Sequence, residues 1–345
     1  MKVILFCQNP YAFGIMEPIM EVLKEKGHQY LWFLTENLLG KFPFTGEPST
    51  SDIQDLKNFQ ADAIFCPGNE VPHYLRGLKV QIFHGLAGEK KGHFRIRHYF
   101  DLYLTQGPYF TDKFLELKDK FRDFEVIETG WPKLDIYGKD LHKYEAEKQE
   151  LLKNSDTEKI ILYAPTFSPS LTSAPHLLGE IERLSANQEY LILIKFHDLM
   201  DPEVREQYRN LASEKKNLQV EEEPNIVKFL LMADLMLSDT SSVVYEFLLL
   251  DKPVVTFKSN SDNILWDNST EYEGLSERVI SNLQNDPFQQ QRKKIIENYH
   301  PYLDGKSAHR MVEAVEDYIA EHGVPEKRKL PFLRRLKMNR MFGKN

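Results

Sequence analysis

The sequence predicts an α/β protein built from two Rossmann-like, doubly wound domains that face each other across a cleft. Short apolar runs alternate with helical stretches along most of the chain, which is typical of parallel strands covered by helices on both faces. The 345 residues are enough for two domains of about 150 residues. Polar residues follow several predicted strands, at the edge where such sheets bind ligands.

The first series of strands begins at the N-terminus. Lys2 to Phe6 has the composition of a buried strand, a helix from about Ile15 to Lys26 ends before Gly27, and a second strand lies near Tyr30 to Leu34. Further strands are predicted near 61–66, 80–83, 102–105 and 126–128. We therefore assign residues 1–145 to the first domain.

A charged helical stretch with no strand pattern, around 138–158, marks the junction between the domains. The second series of strands is predicted at 159–164, 190–196, 218–221, 235–238 and 253–257. A helix is expected to run from a hydroxyl-rich segment after the fourth of these strands to Leu250. The second domain is assigned to residues 146–326.

Residues 327–345 form a basic segment attached to an acidic protein. The whole chain has a formal net charge of −8, while this segment carries eight Lys and Arg residues and no acid. Leu, Met and Phe residues lie between the cations, a mixture expected of a segment on an anionic membrane surface. A solvated tail and a nucleic-acid-binding tail are the alternatives, but a nucleic-acid stripe seldom contains so many apolar side chains, so no nucleic-acid partner is predicted.

The composition also indicates a compartment. Cys7 and Cys66 lie in or at the end of apolar runs, as small buried residues of a reducing environment do. The N-terminal apolar run is too short for a signal peptide, and no window approaches the roughly 18 apolar residues of a membrane span. We expect a cytoplasmic protein that is peripheral on the inner face of the cell membrane.

Several common motifs are missing from the sequence. No GxGxxG follows the first strand, and the GKS at 305–307 lacks the partner glycine of a P-loop. No HExxH, CxxC or DxD pair is present, so the sequence requires neither a metal nor a cofactor.

A hydroxyl-rich segment after a predicted strand is suited to hold phosphate. The strand at 235–238 is followed directly by Asp239, Thr240, Ser241 and Ser242. Free amides in the first turn of a helix and the positive end of its dipole attract anions. Ser and Thr at this position also serve as plain helix caps, so the segment alone leaves both interpretations open.

Two histidines end predicted strands, one in each half of the chain. His197 follows Lys195 on its strand, and His84 begins a loop with three glycines and several cations. Glycines let a backbone approach a ligand closely, and cations suit a phosphorylated ligand. A histidine at a strand end is more often a satisfied polar residue, but this loop favours a functional role for His84.

Six segments follow one another along residues 80–315 in an order that resembles a known family. They are HGLAGEKKG from 84, ETGWPKLD at 128–135, ILYAPTF at 161–167, IKFH at 194–197, LSDTSSVVYEFLLLDKPVV at 237–255 and DGKSAHRMVE at 304–313. Together they resemble the motifs of the CDP-glycerol glycerophosphotransferase family, which includes teichoic acid primases and polymerases. The resemblance implies a GT-B fold. It also implies metal-independent transfer of glycerol phosphate, or a related polyol phosphate, from a CDP-activated donor to a hydroxyl of a cell-surface glycan or lipid-linked precursor, with release of CMP.

The resemblance further implies roles for individual residues. His84 matches the candidate general base, His197 matches a second histidine that would neutralise the diphosphate, and Glu246 matches an acidic residue expected on the ribose. The other residues expected to bind the donor or its phosphates are Thr166, Lys195, Asp239, Thr240, Ser241, Ser242, Gly305, Lys306 and Ser307. The residues expected on the acceptor side, in the first domain, are Lys90, Lys91, Arg95 and Trp131.

Two other classes of function are consistent with the sequence. One is a GT-B glycosyltransferase or an enzyme similar to UDP-N-acetylglucosamine 2-epimerases, which carry a glycine pair where Ser241 and Ser242 stand. The other is a catalytically idle scaffold that keeps the cleft and the basic segment.

The sequence departs from the family at Phe83, where Trp is common, and at the LAGEKK after His84 and Gly85. Both departures fall on the acceptor side, so the donor class is better defined than the acceptor.

Overall fold

The computed structural model describes residues 1–86, 92–223, 225–261 and 264–343. The chain divides into two compact units, the first formed by residues 1–139 together with 297–345, and the second by residues 140–296. Each unit contains a fully parallel sheet with helices. The predicted α/β class is therefore confirmed.

The first unit contains a sheet of seven strands in the order β3-β2-β1-β4-β5-β6-β7. Its strands are β1 Lys2–Cys7, β2 Gln29–Leu34, β3 Ser49–Thr50, β4 Ala63–Cys66, β5 Leu78–Gln81, β6 Leu102–Thr105 and β7 Glu125–Glu128. The α-helices of this unit are α1 Ala12–Glu25, α2 Ile53–Phe59, α3 Pro108–Phe121, α4 Ile136–Lys139, α12 Ser307–His322 and α13 Phe332–Phe342, with 3₁₀ turns at Glu36–Lys41 and Pro132–Leu134.

The second unit contains a sheet of six strands in the order β10-β9-β8-β11-β12-β13. Its strands are β8 Lys159–Tyr163, β9 Tyr190–Lys195, β10 Leu218–Glu221, β11 Leu235–Ser238, β12 Val254–Phe257 and β13 Asp267–Ser269. Its helices are α5 Glu145–Ser155, α6 Ala174–Leu184, α7 Pro202–Ser213, α8 Ile226–Met232, α9 Val243–Leu248, α10 Leu275–Asn285 and α11 Gln289–Tyr299, the last of which crosses the division between the units.

Central strands in both sheets are buried on both faces, as their continuous apolar runs predict. Residues 3–7 of β1 and 190–195 of β9 are buried throughout. A strand can be apolar at every position when helices cover both faces of its sheet. The order of the six-stranded sheet is that of a doubly wound fold, and in both sheets the chain reverses direction beside the first strand of the series.

The segment 297–326 lies in the first unit, although we expected it to close the second domain. The carboxylate of Asp135 accepts hydrogen bonds from the backbone amides of Ser307 and Ala308, both at 2.8 Å. These bonds satisfy two free amides at the start of α12 and fix that helix to the first unit. At the other junction, the expected boundary near 146 lies close to the observed division at 140.

The basic segment 327–345 is also fixed to the first unit at several points. Arg328 is buried and forms ion pairs with Asp101 and Asp123. Met338 on α13 is fully buried in a cluster that includes Phe6 and Tyr74. Arg328, which we counted among the eight cations of the basic segment, is therefore not available to a membrane.

Candidate functional site

Parallel doubly wound sheets bind ligands where the strand order reverses, outside the carboxyl ends of the two strands concerned. In the second unit these strands are β8 and β11, which pair in register from Leu235↔Ile161 to Leu237↔Tyr163. The segment 164–173 follows β8, and the segment 239–242 follows β11. Both segments contain residues that the sequence assigned to donor binding, and the fold brings them together.

Asp239 joins these two segments. Its carboxylate accepts hydrogen bonds from the backbone amide of Thr166 at 2.8 Å and from the amide and hydroxyl of Ser173 at 2.7 and 2.8 Å. The side chain is fully buried, and burial raises its pKa to about 6. A carboxylate enclosed in this way positions other residues instead of contacting a ligand itself. Asp239 therefore shapes the site, whereas we expected it to bind the donor directly.

The hydroxyl-rich segment after Asp239 is half-buried, so it is accessible to a ligand. Thr240 accepts a hydrogen bond from the amide of Asn260 at 3.0 Å through its hydroxyl oxygen, which fixes its rotamer. Ser241 and Ser242 precede α9, a helix that ends at Leu248, two residues before the predicted end. Glu246 is buried on this helix.

His197 lies at the carboxyl end of β9, beside the same edge of the sheet. Its Nδ1 accepts a hydrogen bond from the amide of Leu199 at 3.1 Å, so in the neutral ring the proton is assigned to Nε2. Partial burial lowers the pKa of His197, which favours the neutral form. The ring packs against Phe167 with centroids 4.3 Å apart. His197 can therefore donate one hydrogen bond from Nε2 to a phosphate oxygen.

The environment of Lys195 does not suit direct binding of a phosphate. Its side chain is buried, its Nζ donates to the carbonyl of Phe196 at 2.9 Å, and burial lowers its pKa. In this conformation Lys195 supports the strand end that carries His197.

In the first unit the strand order reverses between β1 and β4. His84 lies close to this point, after β5. Its Nδ1 is 2.9 Å from the carbonyl oxygen of Pro67, which follows β4. Because a carbonyl oxygen can only accept, Nδ1 carries the proton and Nε2 keeps its lone pair. The side chain is exposed and its ring stacks on Tyr11 with centroids 5.2 Å apart. His84 is therefore oriented as a proton acceptor.

The backbone around His84 is held on both sides. Phe83 has a φ of +59°, a left-handed conformation that is uncommon for a bulky residue. The buried side chain of Gln106, directly after β6, donates to the carbonyl of Gly85 at 3.1 Å. The sequence predicted a strand as far as Phe83, but β5 ends at Gln81 because the chain turns here to present His84.

The residues that the sequence assigned to the acceptor side differ in their position and burial in the structure. Lys90 and Lys91 lie outside the described residues. Arg95 is exposed and lines a small cavity together with Arg97, His93 and other side chains of the first unit. Trp131 is fully buried, and its amide donates to Nε2 of His300 at 2.9 Å. Trp131 therefore packs in the core and does not line an acceptor surface.

The segment 302–313 and the segment 128–135 pack against each other in the first unit. The hydroxyl of Tyr302 donates to the carboxylate of Glu128 at 2.6 Å, and the guanidinium of Arg310 donates to the carbonyl of Thr129 at 2.7 Å. A Cβ built on Gly130 would lie 2.4 Å from the Oγ of Ser307, so only glycine fits there. The packing of these two segments against each other therefore explains most of the residues in the motifs ETGWPKLD and DGKSAHRMVE.

This packing changes the interpretation of residues 305–307. Gly305 is in the left-handed region at φ +67° and is in close contact with Gly138, while the amide of Ser307 is bonded to Asp135. Gly305 and Ser307 therefore have structural roles here. Lys306 is exposed, and its role in phosphate binding stays a prediction.

The strand-end regions of the two units each contain residues that sequence reasoning missed. Phe167 packs on His197, Tyr11 stacks on His84, and Gln106 supports the backbone after His84. Phe167 and Gln106 follow predicted strands, which is a signal that could have identified them. Tyr11 carried no such signal, because its contact with His84 depends on the tertiary fold.

Within the ranges that the structure describes, no group of three or more His, Cys, Asp or Glu side chains is placed to hold a metal ion. No helix in the same ranges is long and apolar enough to cross a membrane.

The fold and the strand-end sites define a GT-B protein. The wall teichoic acid polymerase TagF has the same fold, with a TM-score of 0.66 at 17% identity over 92% of this chain and 89% of that chain. The UDP-GlcNAc 2-epimerase of Neisseria meningitidis, bound to UDP-GlcNAc, is also similar, with a TM-score of 0.67 at 15% identity over 92% of this chain and 100% of that chain. At these identities the likeness concerns the fold alone.

The family assigned from the sequence is more specific than the likeness in fold. The model of the CDP-glycerol:poly(glycerophosphate) glycerophosphotransferase family matches residues 84–264, so this chain belongs to that family, as the motif resemblance predicted. The teichoic acid glycerol-phosphate primase of Bacillus subtilis (strain 168) is 25% identical over 235 residues, which are 63% of this chain and 58% of the primase. The chain spans 33% to 58% of the length of the curated relatives it matches.

Proposed function

We propose that this protein transfers glycerol phosphate, or a related polyol phosphate, from a CDP-activated donor to a hydroxyl of a cell-surface glycan or lipid-linked precursor. Family membership supports this activity. The observation that carries it is the difference in tautomer between two histidines: His84 of the first unit offers a proton acceptor at Nε2, and His197 of the second unit offers a hydrogen-bond donor at Nε2. A base for the hydroxyl proton and hydrogen-bond donors to the phosphate oxygens both favour transfer of a phosphoryl group to an alcohol.

In the proposed reaction, Nε2 of His84 takes the proton from the acceptor hydroxyl as its oxygen attacks the phosphorus that bears glycerol. A new phosphorus–oxygen bond forms, the bond between that phosphorus and the CMP oxygen breaks, and CMP leaves with the electron pair. The exposure of His84 permits an acceptor to approach, while the bond to Pro67 holds the ring in the productive tautomer.

The second unit is proposed to hold the donor. Thr240, Ser241 and Ser242 would donate to phosphate oxygens, with His197 as an additional donor, and Glu246 would accept from the ribose hydroxyls. Preorganised donors of this kind stabilise the negative charge that develops on the phosphoryl group and on the departing CMP. Asp239 contributes by fixing the two segments that carry these donors.

The donor assignment is tested by thermal shift. CDP-glycerol and CDP-ribitol are compared with UDP-GlcNAc, CDP and UDP at equal concentrations, because a ligand of the native state raises the melting temperature. We expect the CDP-polyols to stabilise the protein most. Stronger stabilisation by UDP-GlcNAc would contradict the proposed donor and favour a nucleotide-sugar enzyme of the same fold.

We also propose that the protein binds peripherally to an anionic membrane surface through α13. Four large apolar side chains on or next to this helix are exposed, and they lie among Arg and Lys residues. Apolar side chains that enter the interface and cations that pair with lipid phosphates together give stable surface binding. Deleting residues 327–345 would be a poor test, because it also removes Arg328 and Met338 from the core.

A further inference from the structure

The last strand of the first sheet, β7, has an open edge. β7 pairs with β6 on one side, and within the described residues no further strand pairs with its other side. The amides of Glu125 and Thr129 donate to carbonyls of β6 or of the residue before it, at 2.8 and 3.0 Å. Because every second residue of a parallel strand bonds to the neighbouring strand, the backbone groups of Val126 and Glu128 point away from β6. This edge therefore offers two amides and two carbonyls to a further strand.

Helix α12 lies beside the open edge and leaves a groove along it. A cavity of about 430 Å³ is lined by residues of β7 and of α12, and binding sites commonly have volumes of about 300–1,000 Å³. Arg310, near the start of α12, donates to the carbonyl of Thr129, directly after β7. Burial and then the charges of Asp101 and Glu125 raise the pKa of Tyr318, so the later part of α12 lies near the start of β7. The helix therefore runs along β7 in the opposite direction.

Three carboxylates of α12 line this groove in a row. Glu313, Asp317 and Glu321 are exposed and follow one another at intervals of four residues, so they share one face of the helix and are about 6 Å apart along its axis. Asp317 forms no ion pair within the part of the chain that the structure describes, and Lys26 bonds to Glu316 at 2.7 Å while it stays 3.8 Å from Glu313. Like charges at this spacing destabilise a helix, so the stability of the fold does not explain the row.

Two simpler explanations do not account for this groove. Within the described residues, no group of three or more His, Cys, Asp or Glu side chains is placed to hold a metal ion. Charged side chains on an edge strand often prevent it from pairing, but both glutamates of β7 bond back to the protein. Glu128 accepts hydrogen bonds from the hydroxyls of Thr111 and Tyr302, and Glu125 pairs with Lys118. The backbone edge of β7 is therefore not blocked by its own glutamates.

We propose that this groove binds an extended segment of a partner protein, with Lys or Arg at alternate positions, as an eighth strand beside β7. Side chains on one face of a strand are about 6.6 Å apart, close to the spacing of the carboxylates along α12, so successive cations can pair with successive carboxylates. The backbone of the segment bonds to the outward groups of Val126 and Glu128. Apolar contact comes from Ile127, Ala314 and Tyr318, which also line the groove. Neither the groove nor its test depends on the proposed transferase activity.

The probe for the acidic row is a fluorescently labelled peptide of ten residues in which Lys and Val alternate, titrated against the full chain by anisotropy. We expect Asp317→Asn with Glu321→Gln to weaken its binding at least tenfold. Glu273→Gln with Glu277→Gln removes the same charge at exposed positions of the second unit and should change binding by less than twofold. A peptide of five Lys followed by five Val should bind at least tenfold more weakly than the alternating one. No binding by the wild type, or equal dissociation constants for the two variants or for the two peptides, would overturn the proposal.

Methylation of the peptide backbone distinguishes strand addition from charge attraction alone. One form is methylated at the nitrogens of its Lys residues and a second at those of its Val residues, so each form loses the amide donors of one edge. We expect one form to bind at least tenfold more weakly than the unmodified peptide, and the other within threefold of it. Hydrogen exchange of the amides of Val126 and Glu128 should slow when the unmodified peptide binds. Equal binding by the two methylated forms would overturn strand addition, and tighter binding of spermidine than of the peptide would overturn it in favour of a small polycation.

Discussion

At the scale of single residues, the two strand-end histidines differ in the atom that bonds to the backbone. Nδ1 of His84 faces a carbonyl and Nδ1 of His197 faces an amide. The same side chain is thereby prepared for opposite tasks, acceptance of a proton in the first unit and donation of a hydrogen bond in the second. The sequence indicated the two residues, but only the local backbone reveals the tautomers.

His84→Asn tests the proposed base. The asparagine amide can still donate to the carbonyl of Pro67, but it has no atom in the place of Nε2. We expect the rate of CMP release to fall by about 10²–10⁴-fold, the usual contribution of a general base, with the dissociation constant for CDP-glycerol within twofold of wild type. His142→Asn, at an exposed histidine outside the site, serves as the control. An unchanged rate in His84→Asn would remove His84 from the mechanism.

The raised pKa of Asp239 predicts that the free energy of unfolding depends on pH. Its pKa is raised to about 6 in the folded protein, from 3.8 when unperturbed, so between these values the folded state binds more protons than the unfolded state. The contribution of this group to stability is therefore greatest below pH 4 and falls as the pH rises to 6, by about 3 kcal/mol.

This dependence is measured as a difference between wild type and Asp239→Asn, whose amide does not titrate. Urea unfolding at several pH values from 4 to 7 should show the stability of the wild type declining relative to the variant over that interval. A constant difference would show that the carboxylate does not carry the raised pKa. Other titrating groups contribute equally to both proteins and cancel in the comparison.

At the scale of elements, an ion-pair cluster stabilises the corner between α10 and α11. The buried guanidinium of Arg292 bonds to Asp286, directly after α10, and to Asp251, after α9. Arg292→Ala removes the buried cation and leaves both carboxylates without their partner. Losing one partner of a buried pair costs about 3–5 kcal/mol, and because both carboxylates here are partly exposed we expect a loss near the lower end.

Chemical denaturation of Arg292→Ala measures this loss. Lys293→Ala is the matched control, because Lys293 is the next residue of the same helix and is exposed, so its replacement should change stability by less than about 0.5 kcal/mol. Equal stability of the two variants would show that the cluster does not hold the corner.

The elements also show which features of the fold can be read from the sequence. Strands with continuous apolar runs, such as β6 at 102–105 and β11 at 235–238, have the predicted limits, because burial on both faces leaves an unambiguous pattern. The short edge strands β3 and β13 were missed, since their polar residues (ST and DNS) show no such run. The pairing of Asp239 with residues 166 and 173 was not predictable, because it depends on neighbouring strands distant in sequence.

At the scale of the whole molecule, the two units are built differently along the chain. The second unit is one continuous stretch, 140–296, whereas the first needs both 1–139 and 297–345. The returning segment supplies Met338 to the core and the start of α12 to Asp135. A sequence pattern of strands and helices does not reveal such a return, because α12 is an ordinary amphipathic helix that could cover either sheet.

Because one unit is continuous along the chain and the other is not, we expect fragments of the two units to differ in whether they fold alone. Fragment 140–296 should unfold cooperatively on its own and retain CDP binding if the donor proposal is correct. Fragment 1–139 should lack a cooperative transition, because the ion pairs of Asp101 with Arg328 and the bonds of Asp135 with residues 307 and 308 are lost with the missing segment. Adding fragment 297–345 to it should restore the transition in proportion to the concentration added. Urea titrations followed by circular dichroism measure all three, and cooperative unfolding of 1–139 alone would show that the returning segment is dispensable for the first unit.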